Sequence, residues 1–224
     1  KERAVKMLRR MLNDDRSRNR LGCLLWRRDI KSKQYDSIVG LVWLLRNPKT
    51  LHVQEDAIRV LAAGLTSSEH FERLAKQKPV LPALISCAAD GTVKTSDTAV
   101  WLLFRMTEHD GFCKDVLAGG SAVRVLLEFA SQDVGRQGPR ENALGVLANL
   151  SSHDSVALFA LSDTQVFDVA SGALSTGSDR ALRNTAVLLG NLSFDEELFP
   201  HLSKLELDLE PLSRLILEGD DVER

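Results

Sequence analysis

The amino-acid sequence predicts an all-α solenoid of about five tandem repeats. Similar segments recur at a nearly constant spacing, and apolar residues follow helical intervals within each repeat. Strand signals are scarce, because the 224 residues include only six prolines and a single tyrosine. Hydrophobic residues make up 44% of the chain, which is enough for a sizeable core.

One eight-residue pattern that occurs four times defines the repeat. Its copies are residues 56–63, 98–105, 142–149 and 184–191, so successive copies end 42, 44 and 42 residues apart. The last two copies both end in Asn and continue with Leu-Ser. A fixed period of about 40–47 residues is typical of armadillo or HEAT arrays.

Each repeat is predicted to contain further helices before this pattern. Second helices are expected at 38–45, 80–85, 122–127, 166–170 and 209–217. These helices are apolar on nearly all sides, as expected when neighbouring repeats cover both flanks. Short additional helices are expected at 112–117, closed by Gly119-Gly120, and at 155–161, with turns at 90–91, 131–139 and 175–179. Residues 3–12 and 21–28 are expected to form capping helices in a basic N-terminal segment, 1–34. The array is then divided at about 35–76, 77–118, 119–162, 163–204 and a partial 205–224.

Two segments carry a resemblance to a known family. Residues 53–61 (Val-Gln-Glu-Asp-Ala-Ile-Arg-Val-Leu) and 142–151 (Asn-Ala-Leu-Gly-Val-Leu-Ala-Asn-Leu-Ser) resemble the third helix of armadillo repeats. The resemblance extends from about residue 35 to the end and implies an armadillo/HEAT-type right-handed superhelical solenoid. Stacked repeats bury one continuous core, and the third helices are expected to line a concave groove.

At a finer level, the basic segment and the short array resemble the armadillo repeats-only proteins of apicomplexan rhoptries. That resemblance implies an acylated anchor on the cytosolic face of the rhoptry membrane. It also implies a myosin motor and other scaffold proteins as partners. The chain begins at Lys1 rather than at methionine, so we expect the acylated residues to lie upstream of it.

Two outward positions of each third helix recur in register, and they are the candidate binding residues. The resemblance implies that peptide-binding members of the family have Trp and Asn at these two positions. The asparagine amide hydrogen-bonds to the backbone of an extended peptide, and the indole covers the stems of the peptide's side chains. Here the residue one turn after Trp101 is Arg105 instead of asparagine, and the residue one turn before Asn149 and before Asn191 is not tryptophan. The pattern therefore differs from that of armadillo proteins that recognise import signals. We expect a partner-binding groove lined by Arg59, Trp101, Arg105, Asn149 and Asn191. The alternative is that the asparagines only bond to backbone between adjacent repeats.

Charge is distributed unevenly along the chain. Residues 1–33 contain twelve basic and four acidic residues, a net charge of +8, whereas the remainder contains 17 basic and 27 acidic residues, a net charge of −10. A basic end can lie on an anionic membrane, bind an acidic partner or form ordinary solvated surface. The candidate membrane-facing patch is Arg9, Arg10, Arg16 and Arg18. Nucleic acid is not an expected partner, because Trp26 is the one aromatic residue of this segment and no reading motif accompanies it.

No chemistry-bearing motif is evident. Cys23, Cys87 and Cys113 lie far apart, which indicates a reducing compartment rather than disulfides or a zinc site. His109 and His153 occupy equivalent places in two repeats and are interpreted as surface residues rather than metal ligands. We expect no catalytic function, cofactor or metal, since no nucleophile elbow, phosphate loop or zinc motif is present.

The sequence therefore predicts a non-catalytic adaptor that binds protein partners in its groove, with its basic N-terminal part next to a membrane. The finer resemblance implies that it tethers or positions an organelle, the rhoptry, at the cytosolic face of the organelle membrane. The alternative is a soluble peptide or cargo receptor of the importin-like type. An enzyme would need a cavity with perturbed titratable groups.

Overall fold

The computed structural model describes residues 36–131, 136–162, 164–203 and 207–214, and its regular structure there is entirely α-helical. The chain divides into two compact units, Lys1–His109 and Asp110–Arg224. The first unit contains α1 (Asp36–Arg46), α2 (Leu51–Gly64), α3 (Ser68–Ala75), α4 (Val80–Asp90) and α5 (Val93–Met106). The second contains α6 (Asp110–Gly119), α7 (Ser121–Ser131), α8 (Gln137–His153), α9 (Ser155–Ser162), α10 (Gln165–Thr176), α11 (Asp179–Ser193) and α12 (Phe199–Leu202). Residues 210–214 are also helical.

The helix order follows the predicted repeat. The four predicted third helices are α2, α5, α8 and α11, and the second helices are α1, α4, α7 and α10. The short helices expected at 112–117 and 155–161 are α6 and α9, whereas the equivalent α3 was not predicted. The capping helices expected at 3–12 and 21–28 lie outside the described residues.

Most third helices begin at a side-chain cap in the same register. Thr50, Thr92 and Ser178 each accept a hydrogen bond from the backbone N–H three residues further on, which satisfies a donor that the first helical turn leaves open. The equivalent residue before α8 is Arg136, which provides no side-chain cap. This helix begins inside the turn expected at 131–139, with Pro139 in its first turn, where proline is tolerated.

Equivalent helices pack side by side within each unit. In the first unit α1 packs against α4 and α2 against α5, and in the second α7 packs against α10 and α8 against α11. Leucines of the third helices, such as Leu61, Leu103, Leu147 and Leu188, are at most 1% exposed. Full burial of one such side chain contributes about 1.5–3 kcal/mol. Side-by-side packing therefore brings together residues at the same register of adjacent third helices within a unit.

Gly120 is the single residue between α6 and α7, and its φ is +63°. This left-handed conformation is readily available to glycine alone, so the predicted helix break at Gly119-Gly120 is confirmed. At the other end of the second unit, Leu202, Leu207 and Leu212 pack against an apolar cluster on α10 and α11. No helix in the described ranges is both long and apolar enough to cross a membrane.

Candidate functional site

The third helix α5 carries the most developed part of the predicted binding surface. Trp101 and Arg105 lie one turn apart and are both half-buried. Phe71 of α3 meets the Trp101 indole edge-on, with ring centroids 5.8 Å apart and an interplanar angle of 74°. The Arg105 guanidinium carbon lies 5.0 Å from the centroid of the same Phe71 ring, within the range of a cation–π interaction. One buried phenylalanine thus supports both predicted binding residues.

The charge of this surface is mixed. Arg105 Nη1 lies 2.7 Å from Glu108 Oε1, so an acidic side chain partly offsets its charge. Arg59, whose register on α2 corresponds to that of Trp101 on α5, is exposed and forms no ion pair with the described residues. On the predicted binding surface of the first unit, the half-buried Trp101 indole is therefore accompanied by two arginines, of which Arg105 is partly neutralised.

In the second unit the predicted binding residues are asparagines, and one of them bonds to the neighbouring repeat. Asn149 on α8 and Asn191 on α11 are both half-buried. Asn191 Nδ2 donates to Ser151 Oγ at 3.0 Å and to Ser152 Oγ at 2.7 Å. The alternative stated above was that the asparagines only bond to backbone between adjacent repeats. The Asn191 bonds do join adjacent repeats, but their acceptors are side-chain hydroxyls rather than backbone groups. The predicted basic patch at Arg9, Arg10, Arg16 and Arg18 lies outside the described residues.

A set of polar residues that the sequence analysis missed joins adjacent repeats. Thr92 Oγ1 donates to Glu55 Oε2 at 3.3 Å, and Ser178 Oγ donates to Glu141 Oε1 at 2.5 Å. Both pairs are 37 residues apart, and both hydroxyls also cap their own helix. The same side chain therefore begins a third helix and ties it to the preceding repeat.

Glu141 is the centre of the largest of these networks. Its carboxylate also accepts from Gln137 Nε2 at 2.9 Å and from Arg180 Nη1 at 3.4 Å. Arg180 Nη2 donates to Asn142 Oδ1 at 2.9 Å, and Asn184 Nδ2 donates to the Glu141 carbonyl oxygen at 2.9 Å. Much of the polar surface between α8 and α11 is therefore already used to hold the two repeats together.

A second recurring bond joins the helices within one repeat. A polar side chain in the first turn of a third helix donates to a carbonyl in the last turn of the preceding second helix, where backbone acceptors lack helical partners. The bonds run from Gln54 Nε2 to the Leu45 oxygen (3.0 Å), from Ser96 Oγ to the Cys87 oxygen (3.3 Å) and from Arg140 Nε to the Ala130 oxygen (3.1 Å). The fourth equivalent residue is Leu182, whose side chain has no donor.

The perturbed titratable groups do not converge on a reactive centre. Burial raises the pKa of Cys87 to about 12 and, with a contribution from Asp110, that of Cys113 to about 11. Thiols whose pKa is raised in this way are poor nucleophiles. Burial lowers the pKa of His70, whose Nδ1 accepts from the Thr66 backbone N–H at 3.3 Å. The part of the chain that the structure describes holds no group of three potential metal ligands.

Solved structures of the same fold are designed armadillo repeat proteins. One, a designed armadillo repeat protein in complex with the peptide (KR)4, matches with a TM-score of 0.62 at 16% identity, over 95% of this chain and 97% of that chain. Another, computationally designed for modular peptide recognition, matches with a TM-score of 0.67 at 15% identity, over 93% of this chain and 90% of that one. No protein-family model and no curated protein matches the sequence. These likenesses confirm the predicted armadillo-type fold.

Proposed function

We propose that this armadillo-type chain is a non-catalytic scaffold that binds an extended protein segment along its third helices. The observation that carries the proposal is the α5 surface, where Trp101 and Arg105 rest on the same Phe71 ring. An indole held in one orientation offers a flat apolar contact, and Trp and Arg are residue types in which binding energy is concentrated. The likeness to a designed protein in complex with a peptide supports this use of the fold.

The charges favour a partner segment that differs from the basic peptide bound by that designed protein. Arg59 is exposed, and Arg105 adds a second positive charge that Glu108 offsets only in part. An acidic side chain placed beside the Trp101 indole could pair with Arg59. We therefore expect the partner segment to combine acidic residues with apolar ones.

The asparagines have a complementary part in this proposal. Both hydrogen bonds of Asn191 use Nδ2, and no described group donates to its Oδ1. That oxygen can accept a backbone N–H from an extended partner while Nδ2 holds the two serines. Asn149, in the same register of α8, is proposed to contact the partner as well.

The finer form of the proposal follows from the resemblance to armadillo repeats-only proteins. In it the chain lies at the cytosolic face of an organelle membrane, a rhoptry, and recruits an unconventional myosin and other scaffold proteins. Its support is the net charge of +8 on residues 1–33, since each basic residue near an anionic leaflet contributes about 1 kcal/mol. The alternative is a soluble cargo receptor. Co-sedimentation with anionic vesicles separates the two, because reversal of Arg9, Arg10, Arg16 and Arg18 to Glu abolishes binding only if that patch faces the membrane.

The groove assignment is tested with two tryptophan variants. Peptides are first selected against the wild-type chain from a display library, and their affinities are then measured for Trp101→Ala and Trp43→Ala. Trp43 is the matched control because it lies on the second helix α1 and is 46% exposed. A hot-spot residue contributes about 2 kcal/mol or more, so Trp101→Ala should weaken binding about 30-fold while Trp43→Ala leaves it unchanged. Equal affinities for both variants, with both still folded, would contradict the proposal.

A further inference from the structure

A cavity of about 420 Å³ lies between the second helices α7 and α10 of adjacent repeats. Its volume is in the range of small-molecule sites. It is lined by Arg124, Leu127 and Glu128 on α7 and by Asp168, Val169 and Gly172 on α10. Arg140, from the first turn of α8, also reaches it. None of the predicted binding residues lines this cavity.

Arg140 brings a buried positive charge to the cavity, and no anion among the described residues matches it. The residue is 7% exposed, and its guanidinium donates to the Ala130 carbonyl at 3.1 Å and to Thr176 Oγ1 at 2.9 Å. Both acceptors are neutral, and no carboxylate of the described residues pairs with it. Its remaining nitrogen, Nη2, forms no hydrogen bond with a described residue and lies 3.9 Å from where a Cβ at Gly172, another residue of the cavity lining, would be. A buried guanidinium normally has its charge compensated by an anion. We therefore expect this nitrogen to bind an anionic group of a ligand.

The rim of the cavity adds charges of both signs. Arg124, Glu128 and Asp168 are exposed, and their charged groups form neither an ion pair nor a side-chain hydrogen bond with other described residues. Together with Arg140 they give the described lining of the cavity two positive and two negative side chains. Two carboxylates would repel a dianion such as phosphate, whereas a ligand with one charge of each sign can complement all four groups.

We propose that this cavity binds a small zwitterion of the α-amino-acid class. Its carboxylate pairs with Arg140 and Arg124, its ammonium group faces Glu128 and Asp168, and its side chain contacts the buried Leu127 and Val169. Because the ligand bridges helices of two adjacent repeats, its binding stabilises the folded chain.

The test begins with the full chain and a panel of the free proteinogenic L-amino acids, using thermal unfolding and calorimetry. At least one member should raise the unfolding temperature and bind. Its N-acetyl derivative, which lacks the ammonium group, and its amide, which lacks the carboxylate, should each bind about tenfold more weakly, since each loses a charge-assisted contact. The absence of any shift across the panel, or equal binding of the N-acetyl form, would overturn the proposal.

Variants then locate the site. Gly172→Leu places a side chain in the cavity beside Arg140 Nη2, where the carboxylate of the ligand would bind. A Cβ at this position has no close contact, and leucine favours a helix more than glycine does, so the variant should fold yet lose binding. Arg124→Ala should weaken binding about tenfold, because one charge-assisted contact is lost. Lys114→Ala, which removes an exposed positive charge on α6 outside the cavity, should bind as the wild type does. Undiminished binding by Gly172→Leu would show that the ligand lies elsewhere and that Arg140 has only a structural role.

Discussion

Replacing Glu141 with glutamine tests whether the polar network between α8 and α11 stabilises the fold. The residue is 9% exposed, and its carboxylate accepts from Ser178, Gln137 and Arg180. Hydrogen bonds to a charged group contribute about 1.5–3 kcal/mol. The ion pair with Arg180 adds little, because the arginine side chain is 49% exposed and such pairs contribute about 0–1 kcal/mol. The amide keeps the volume of the carboxylate but places an NH2 group against these donors. We therefore expect a loss of about 2 kcal/mol.

The loss is measured by thermal and urea unfolding at pH 7. For a chain of this length, about 2 kcal/mol corresponds to a fall of about 4–8 °C in Tm. The matched control is Glu196→Gln, an exposed carboxylate that makes no hydrogen bond or ion pair in the part of the chain described by the structure. Its effect should stay within about 0.5 kcal/mol. If both variants unfold at the same temperature, the network does not stabilise the contact between these repeats and the reasoning is wrong.

The remaining predictions concern titration, thiol reactivity and backbone conformation. Because burial lowers the pKa of His70, the unfolded chain binds a proton more readily, so stability falls as the pH drops below about 6.5. Urea unfolding at several pH values should show a shallower decline for His70→Gln, and an unchanged slope would exclude this histidine as the cause. With pKa values of about 12 and about 11, Cys87 and Cys113 should react with a thiol reagent at pH 8 only when the protein unfolds; rapid labelling of either native thiol would contradict this. Gly120→Ala should lower the free energy of unfolding by about 1–2 kcal/mol, because the residue has a positive φ. Gly138→Ala should not destabilise the protein, because a Cβ at this position on α8 meets open space. Calorimetry that ranks the two variants in the reverse order would disprove the argument.

Local sequence information was sufficient for most of the helices. The apolar pattern that recurs every 42–44 residues predicted α2, α5, α8 and α11, because helical periodicity is visible within a single segment. The eight-residue helix α3 was missed, since it is short and only Phe71 and Leu74 mark its buried face. A signal for it does exist: Ser67 provides an N-cap, and Glu72 pairs with Lys76 one turn later.

The candidate site depended more on packing. The sequence placed Trp101 and Arg105 one turn apart on a helix, but it contained no indication that Phe71, thirty residues earlier, would support both side chains. Likewise, the asparagine at 191 could be assigned to a register position but not to Ser151 and Ser152.

By itself, then, the sequence determined the helical class, the repeat length and the register of each third helix. These properties follow from the spacing of apolar residues along a continuous segment. Only the tertiary structure decided which polar atoms are used to hold repeats together and which face open space. Glu141 bonds to Ser178, 37 residues away, while Arg140 beside it leaves one guanidinium nitrogen at a cavity. Neighbouring residues of one helix point in different directions, so their partners are set by the helices that pack on each side.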